Sequence, residues 1–350
     1  MLLYVHIPFC DSKCFYCSFN SYVEKHHLKV AYINSLLKQL DFELKRFEVK
    51  KKSIESVFIG GGTPSTLDAL YYENFFKKIE PYLKENVEIT VEANPNSAKQ
   101  EWLTNMRNFG VNRISFGVQS FDNKKLKFLG RSHNSKQAIN AVENAYRCGF
   151  ENISIDIIYE TALDTEKLLK KDIDTAFRLP INHISAYALT LEENTPFFGK
   201  KEVKKDDEYI GYFIADMIKE KFEQYEISNF GNYKSKHNLG YWQHRDYIGV
   251  GCSAVGFLKN RRFYVCNDIE EYIKEPLKIS IENLSNEDLI SEKIFLGFRS
   301  IVGVDIKILN ENMLKRAEIL KNENKIYEKQ NRLYNKNFFL ADEIALYLIG

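Results

Sequence analysis

The chain has 350 residues, of which 44% are hydrophobic, so it can bury one large core or two smaller ones. Its formal net charge of +1 excludes a global electrostatic attraction to nucleic acid or to anionic membranes. No run approaches the ~20 apolar residues of a membrane-spanning helix, and the first residues lack the basic and apolar segments of a signal peptide. We therefore expect a cytoplasmic protein with no nucleic-acid partner and at most peripheral membrane association.

The first predicted element is a short β-strand at 2–7, which Pro8 ends because proline has no N–H for a β-ladder. Three cysteines follow within eight residues, namely Cys10, Cys14 and Cys17. On a loop at the carboxyl end of a strand, three thiolates can surround an iron–sulfur cluster, and they are one fewer than the usual four. They therefore predict a cluster with one iron open to another ligand.

The alternatives for these cysteines are a zinc site, a disulfide and a chance arrangement. Zinc sites usually combine two CxxC-type loops or add histidines at matching spacing, and this chain has one such loop. The other cysteines, Cys148, Cys252 and Cys266, stand alone, and a disulfide framework is uncommon in so long a chain with six cysteines. The spacing, with an aromatic residue before the last cysteine, favours the cluster.

Strand and helix patterns alternate from the N-terminus to about residue 200. The predicted strands lie at 2–7, 56–59, 87–92, 113–118, 153–158 and 183–189. The helices between them are predicted at 30–47, 67–82, 100–109, 135–148 and 165–178. Alternation of this kind without hairpin signals favours a parallel sheet, and its repetition favours a barrel or an open partial barrel.

Polar residues or glycines lie where each of the six predicted strands ends. They are Cys10, Gly61, Glu92, Gln119, Asp156 and Tyr187. In parallel barrels the active site forms at this carboxyl face, so the six together predict a ligand site. The glycines at 60–62 would let the backbone approach that ligand closely and expose N–H donors.

The pattern changes after about residue 200. We predict a helix at 206–224, a strand at 225–230, a loop that contains 237–242, and a glycine-rich apolar stretch at 247–256. Further on we predict helices at 288–299, 306–322 and 340–349, with two short strand segments near Ile326 and Leu333. Two helices, a β-ribbon and a helix are typical of a small winged-helix-like module.

Three domains follow from these patterns. We predict a partial barrel at 1–200, an α+β extension that covers the barrel mouth at 201–284, and the C-terminal module at 285–350. Winged-helix modules often bind nucleic acid, but acidic and basic residues are mixed in this one. We therefore expect it to have a structural or ligand-covering role.

These motifs together resemble the radical S-adenosylmethionine (SAM) superfamily, and within it the proteins related to oxygen-independent coproporphyrinogen III oxidase. The matching segments span nearly the whole chain and are 4–19, 60–65, 92–95, 117–121, 129–133, 156–159, 186–191 and 226–230. The oxidase itself has a further cysteine two residues after the third cluster cysteine, where this chain has Phe19. His237-Asn238-Leu239-Gly240-Tyr241-Trp242 is similar to the HNxxYW motif of the haem-chaperone (HemW-type) branch. The resemblance thus implies an α/β fold, a radical SAM partial (β/α)6 TIM-like barrel.

The resemblance also implies cofactors and the residues that hold them. A 4Fe-4S cluster would be bound by Cys10, Cys14 and Cys17, with SAM on its open iron. The SAM contacts would be Tyr4, Gly61, Gly62, Thr63, Glu92, Gln119, Arg131, Asp156 and Ala188. Haem would take His237 as a possible axial ligand, with Tyr241 and Trp242 as stacking faces. The Arg131 guanidinium suits the SAM carboxylate, because the two can pair in a fork geometry.

Two functions remain open on this resemblance. The first is a haem chaperone that binds cluster, SAM and haem, accepts electrons from a reductant such as flavodoxin or ferredoxin, and delivers haem to apo-haemoproteins. The second is the oxidase, which decarboxylates coproporphyrinogen III to protoporphyrinogen IX. Phe19 and the 237–242 segment favour the first. A winged-helix regulator with an iron–sulfur sensor would not need ligand-site residues at successive strand ends.

One segment departs from the family pattern. The family continues Asp-Leu-Ile-Tyr with Gly-Leu-Pro, whereas Tyr159 is followed here by Glu160-Thr161-Ala162. The loop after the fifth strand has therefore lost a glycine and a proline, while Asp156 is retained.

Overall fold

The computed structural model describes residues 1–350 and contains fourteen strands and twelve α-helices. The strands are β1 (Leu2–Ile7), β2 (Ile54–Gly61), β3 (Leu83–Ala93), β4 (Arg113–Gln119), β5 (Asn152–Tyr159), β6 (His183–Ala188), β7 (Asn229–Gly231), β8 (Tyr247–Val250), β9 (Val255–Leu258), β10 (Arg261–Val265), β11 (Ile279–Asn283), β12 (Val304–Asp305), β13 (Ile326–Lys329) and β14 (Arg332–Asn335). The helices are α1 (Lys29–Arg46), α2 (Glu73–Ile79), α3 (Gln100–Asn108), α4 (Asn123–Phe128), α5 (Ser135–Arg147), α6 (Glu166–Phe177), α7 (Glu208–Lys219), α8 (Lys236–Trp242), α9 (Ile269–Lys274), α10 (Asn286–Phe298), α11 (Glu311–Asn322) and α12 (Ala341–Ile349).

Eleven strands form one sheet, in the order β11-β10-β9-β8-β1-β2-β3-β4-β5-β6-β7. Strands β1 to β6 are all parallel and lie side by side in chain order, with α-helices in the connections between them. The α/β partial barrel predicted from the alternation is therefore confirmed. Beyond that prediction, β8 adds a parallel strand beside β1, and β7 pairs antiparallel with β6.

The two faces of the barrel strands differ in chemistry because successive side chains point to opposite faces. Val5, Ile59 and Ile155 belong to one hydrophobic core of 62 buried residues. The alternate positions carry polar side chains that bond to one another across the barrel interior. Ser154 Oγ, for example, lies 2.7 Å from the His183 ring, and that ring lies 2.7 Å from the Tyr225 hydroxyl. The barrel strands therefore have an apolar outer face that packs in the core and a polar inner face that lines the barrel interior.

Helix α8 lies against the opposite, amino end of the barrel strands. We had predicted a loop for this segment, and the prediction is wrong. Ser235 caps the helix, and the buried Glu88 carboxylate of β3 accepts hydrogen bonds from the N–H groups of Lys236 (2.8 Å) and His237 (2.9 Å). The helix packs closely on β1, since a Cβ at Gly240 would lie 2.4 Å from a Leu2 methyl carbon. These contacts cover the end of the barrel where the strands begin, which we call the barrel foot.

Other predicted elements were too long, for local reasons. In 67–82 only α2 is α-helical, flanked by 3-10 turns, and Pro81 prevents its continuation. The predicted strand at 225–230 shrinks to β7, because Tyr225 N–H bonds to Asn229 O (3.1 Å) and folds the chain back. In 306–322 the side chain of Asn310 caps the helix, which therefore starts at Glu311.

The C-terminal residues have a core of their own. Twelve buried residues between Ile294 and Leu348 join α10, α11 and α12 to a small antiparallel sheet of order β12-β14-β13. The arrangement agrees with the predicted winged-helix-like fold, while the domain boundaries at 200 and 284 stay predictions. No helix in the structure combines the length and the apolar character needed to cross a membrane.

A buried ion pair anchors the short helix α4 beside the barrel mouth. Lys125 Nζ donates to Asp164 Oδ1 and to Ile158 O, both at 2.6 Å, and both charged side chains are fully buried. The other Asp164 oxygen accepts from the N–H (2.8 Å) and the hydroxyl (2.9 Å) of Thr161. Because each charge has lost its hydration, each needs the other in place.

Replacement of one partner should therefore be costly. We expect Lys125→Met to lower the free energy of unfolding by about 3–5 kcal/mol, since it leaves Asp164 buried and unpaired. Chemical denaturation monitored by circular dichroism measures this loss. Lys124→Met is the matched control, because Lys124 is exposed and forms no salt bridge. Equal stability of the two variants would contradict the anchoring role of the pair.

Candidate functional site

The carboxyl ends of β1 to β6 surround an open cavity of about 370 Å³. All the predicted cluster and SAM residues except Tyr4 line it: Cys10, Cys14, Cys17, Gly61, Gly62, Thr63, Glu92, Gln119, Arg131, Asp156 and Ala188. Tyr4 lies deeper in the barrel, where its hydroxyl bonds to His6 Nδ1 (3.0 Å) and its ring stacks on Phe58. The structure thus brings eleven of these twelve residues into one cavity.

Arg131 connects the cysteine loop to the strand ends. Its Nη1 donates to Cys14 Sγ (3.2 Å), and its Nη2 donates to Asn94 Oδ1 and Gly117 O, both at 2.6 Å. Asn94 in turn donates to Thr63 Oγ1 (3.3 Å), which lies 3.4 Å from Cys10 Sγ. Two of the three cysteines are therefore positioned by one hydrogen-bonded chain. The Nε of Arg131 is buried and has no hydrogen-bond partner in the structure.

The glycine segment after β2 differs from the prediction in one respect. We expected exposed N–H donors, but Gly61 N–H bonds to Glu92 Oε2 (3.2 Å), Gly62 N–H to Ile7 O (2.9 Å) and Thr63 N–H to Phe9 O (2.7 Å). The three N–H groups are therefore used within the protein, and the nearly buried Thr63 hydroxyl is engaged by Asn94 and Cys10.

Glu92 and Asp156 are half-buried carboxyl groups on neighbouring parts of the cavity wall. Burial raises the pKa of Glu92 to about 8, and the nearby Asp156 carboxylate adds to the increase. Burial also raises the pKa of Asp156 to about 6, against the opposing hydrogen bonds from Ser185 and Ser115. Two carboxyl groups that resist ionisation together favour a cationic or hydroxyl-rich ligand between them. The sulfonium, ammonium and ribose groups of SAM fit this chemistry.

The end of β4 has an unusual backbone that shapes the cavity floor. Gln119 has a φ of +67°, and the pairing register with β5 shifts between Phe116 and Gln119. Non-glycine residues rarely adopt this conformation, which is often retained at functional sites. A Cβ at Gly117 would lie 3.2 Å from Arg131 Nη2, so the absence of a side chain there keeps the guanidinium in place.

The loop with the unusual Glu160-Thr161-Ala162 sequence forms a turn although it lacks the glycine of the family pattern. Glu160 itself adopts a φ of +62°, a conformation that glycine accepts at lower cost. Its carboxylate pairs with Lys204 (3.3 Å), and its carbonyl accepts from Lys205 N–H (2.8 Å). Thr161 is held by Asp164, as described above. Asp156 consequently stays at the cavity despite the altered loop.

The predicted haem residues lie away from this cavity, on α8 at the barrel foot. His237 is 1% exposed, and its ring nitrogens bond to Ser56 Oγ (2.8 Å) and to the Tyr241 hydroxyl (2.9 Å). In this conformation neither ring nitrogen of His237 is free, and its role as an axial haem ligand stays a prediction. Tyr241 is half-buried with its ring edge-on to Tyr247, and its role as a stacking face stays a prediction. Trp242 is also half-buried, and its role stays a prediction.

Sequence reasoning missed two residues that organise the site. Asn94 lies between Arg131 and Thr63, and its place in the quoted segment 92–95 was the available signal. Asn20 follows the last cluster cysteine by three positions and fastens the loop to the extension. Its side chain donates to Ser253 Oγ (2.5 Å) and Asn267 O (2.7 Å), and its carbonyl contacts the His6 ring (3.0 Å). Nothing local to Asn20 indicated these distant partners.

Comparisons with known proteins agree with the geometry. Residues 4–171 match the profile of the Radical SAM superfamily. The heme chaperone HemW of Lactococcus lactis is 34% identical over 97% of this chain and 95% of its own length. The heme chaperone HemW of Bacillus subtilis is 33% identical over 87% of this chain and 84% of its own. The chain belongs to the HemW family of radical SAM proteins.

The solved structures show what this HemW family member shares with the oxidase. Coproporphyrinogen III oxidase (HemN) from Escherichia coli superimposes with a TM-score of 0.81, covering 99% of this chain and 89% of that chain. Sequence identity between the two is 18%, so the likeness is one of fold. The branch predicted from Phe19 and the 237–242 segment is thus confirmed by the sequence relatives, and the barrel by the structural one.

The raised pKa of Glu92 predicts a pH-dependent stability. A carboxyl group whose folded pKa exceeds its unfolded value of 4.5 contributes stability at low pH that is lost as the pH rises to about 8. Glu92→Gln should therefore raise the melting temperature of the ligand-free protein by about 2 °C or more near pH 8 and change it little near pH 5. Glu85→Gln, on the exposed part of the same strand, is the control. A Glu92→Gln effect of equal size at both pH values would contradict the assignment.

His237 is expected to stabilise the barrel foot. His237→Ala removes two hydrogen bonds and leaves a cavity, so we expect a loss of about 2–4 kcal/mol in the free energy of unfolding. Urea titration measures the loss, with His27→Ala as control because His27 is exposed. Undiminished stability together with complete loss of haem binding would support the ligand assignment.

Proposed function

We propose that this protein is a cytoplasmic haem chaperone that holds a 4Fe-4S cluster and SAM at the barrel mouth and delivers haem to apo-haemoproteins. The observation that carries the proposal is that eleven of the predicted cluster and SAM residues line one cavity, in a chain whose relatives named heme chaperone HemW match almost its whole length. The relatives supply the haem part of the proposal, and the cavity supports the cofactor part.

The residues present fit both cofactors. Cys10, Cys14 and Cys17 would hold three irons of the cluster, and the hydrogen bond from Arg131 would stabilise the thiolate of Cys14. Arg131 would also orient the SAM carboxylate, while Glu92 and Asp156 would face its cationic and hydroxyl groups. When bound, the reduced cluster supplies one-electron chemistry to SAM. The protein's own contribution is to orient the ligand and to exclude water from its charged groups.

The competing function is oxidative decarboxylation of coproporphyrinogen III. The fold is shared with the oxidase HemN, and fold alone does not distinguish the two. Phe19 stands where the oxidase has its additional cysteine, at the rim of the cavity and 65% exposed. An exposed aromatic ring in place of a thiol favours haem handling over the oxidase reaction.

Parallel assays on one anaerobically reconstituted preparation distinguish the two functions. We expect the protein to bind haem and to transfer it to an apo-cytochrome, and to form no protoporphyrinogen IX from coproporphyrinogen III. Haem transfer is followed by the absorbance of the cytochrome, and the porphyrinogen product by chromatography after oxidation to the fluorescent porphyrin. Sustained decarboxylation without haem transfer would establish the oxidase function instead.

Cysteine variants provide the controls for the cofactor part. Cys14→Ser should lose the cluster absorbance, since Cys14 lies in the cavity beside Arg131. Cys148→Ser should keep it, because Cys148 lies next to Thr104 and the start of α3, away from the cavity.

A further inference from the structure

A shallow groove lies on the outer side of the cysteine loop. It is formed by Lys124, Lys127 and Lys200 around Phe15, Phe128 and Phe197, and we call it the lysine face. The aromatic rings contact one another, with centroid distances of 5.9 Å from Phe15 to Phe197 and 5.2 Å from Phe128 to Phe197. The face is separate from the SAM cavity, which lies on the inner side of the same loop.

Phe15 connects the lysine face to the proposed cluster. It stands directly after Cys14 and two positions before Cys17, and its side chain is 40% exposed. Its N–H bonds to Leu129 O (3.1 Å), and its carbonyl accepts from Phe197 N–H (3.0 Å). One ring of the lysine face therefore belongs to the cysteine loop itself.

The charged groups of the lysine face are all positive, and none of them is paired with a carboxylate. Lys124, Lys127 and Lys200 are exposed, and their ammonium groups form neither salt bridges nor hydrogen bonds in the structure. For the α4 lysines the nearest acidic side chain in sequence is Asp122, which accepts hydrogen bonds from the N–H groups of residues 124 and 125 at the start of α4, while the exposed Glu202 lies two residues after Lys200. In a chain of net charge +1, three unpaired lysines around an apolar centre form a local positive patch.

The helix that carries two of the lysines is fixed in place. Lys124 and Lys127 are exposed on α4, whose Lys125 is held inward by the buried pair with Asp164. A preorganised backbone loses less conformational entropy when a partner docks. The backbone positions of Lys124 and Lys127 beside the rings are therefore preorganised.

The geometry points to this face as the docking site of an acidic electron-transfer protein that reduces the cluster, an inference that rests on the proposed function. Apolar contact at the centre and lysines at the rim match a partner whose redox centre is surrounded by carboxylates. One electron passes from the partner's reduced flavin or iron–sulfur centre to the oxidised cluster, and no bond is formed or broken. A haem would fit this groove less well, because its lining offers no histidine, cysteine, tyrosine or methionine to the iron.

The test uses the anaerobically reconstituted full-length protein and fully reduced flavodoxin as the acidic donor. Stopped-flow absorbance gives the second-order rate constant of cluster reduction, and interferometry gives the flavodoxin affinity. The variant is Lys124→Glu with Lys127→Glu. The control is Lys50→Glu with Lys51→Glu, which makes the same change in net charge on exposed residues before β2, at the opposite end of the barrel.

We expect the double variant of the lysine face to lower both the rate constant and the affinity about 10-fold or more at low ionic strength. The wild-type rate constant should fall towards that of the variant as salt is added. The control should stay within about 2-fold of the wild type, because its charges are distant from the cluster loop. Photoreduction by deazaflavin, a small uncharged donor, should be equally fast in all three proteins.

Equal flavodoxin rates in the variant and the control would overturn the docking face. Loss of haem binding in the variant with an unchanged reduction rate would also overturn it, and would assign the lysines to porphyrin carboxylates. If the wild type itself assembles no cluster, both the proposed function and this inference are contradicted. Cluster absorbance therefore distinguishes a wrong proposed function from a wrong assignment of the docking site.

Discussion

The site depends on the hydrogen bonds of one guanidinium group. Arg131 reaches from the loop after α4 to Cys14, Asn94 and Gly117, and through Asn94 and Thr63 to Cys10. Without it, Cys14 would lose its connection to Asn94 and Gly117 at the ends of β3 and β4. Arginine suits this role because its donors have fixed directions and its charge persists at any physiological pH. Gly117 leaves room for that group, since a Cβ there would lie 3.2 Å from Arg131 Nη2.

The electrostatic balance of the cavity follows from the same arrangement. A permanent positive charge lies beside the thiols, and two carboxyl groups with raised pKa lie across the cavity. A zwitterionic ligand with a carboxylate at one end and a cationic centre at the other would satisfy both sides. The cavity is thus polarised before any ligand enters, which reduces the reorganisation that binding requires.

Much of the barrel could be predicted from the sequence, because its signals are local. The β-rich segments, their stop residues and the polar strand ends each lie within a few positions of one another. Helix α8 could not be predicted in this way, since the carboxylate that bonds to its first N–H groups is Glu88, about 150 residues earlier. The same holds for Asn20, whose partners Ser253 and Asn267 lie more than 230 residues away. Residues with distant partners are therefore the ones that local sequence signals do not reveal.

The pairing of β1 has a consequence for how this chain reaches its native state. Leu2 pairs with Ser56 on one side and with Tyr247 on the other, so β1 is paired on both sides only after a neighbour 245 residues later has been made. Contacts of such long sequence separation slow folding, and they leave strand edges open in the meantime. The cysteine loop begins immediately after this strand and is tied by Asn20 to the same late region. Insertion of a cluster into a properly ordered loop is therefore expected to follow the synthesis of the region around Tyr247 and Ser253, so maturation of the cofactor is coupled to formation of these late contacts.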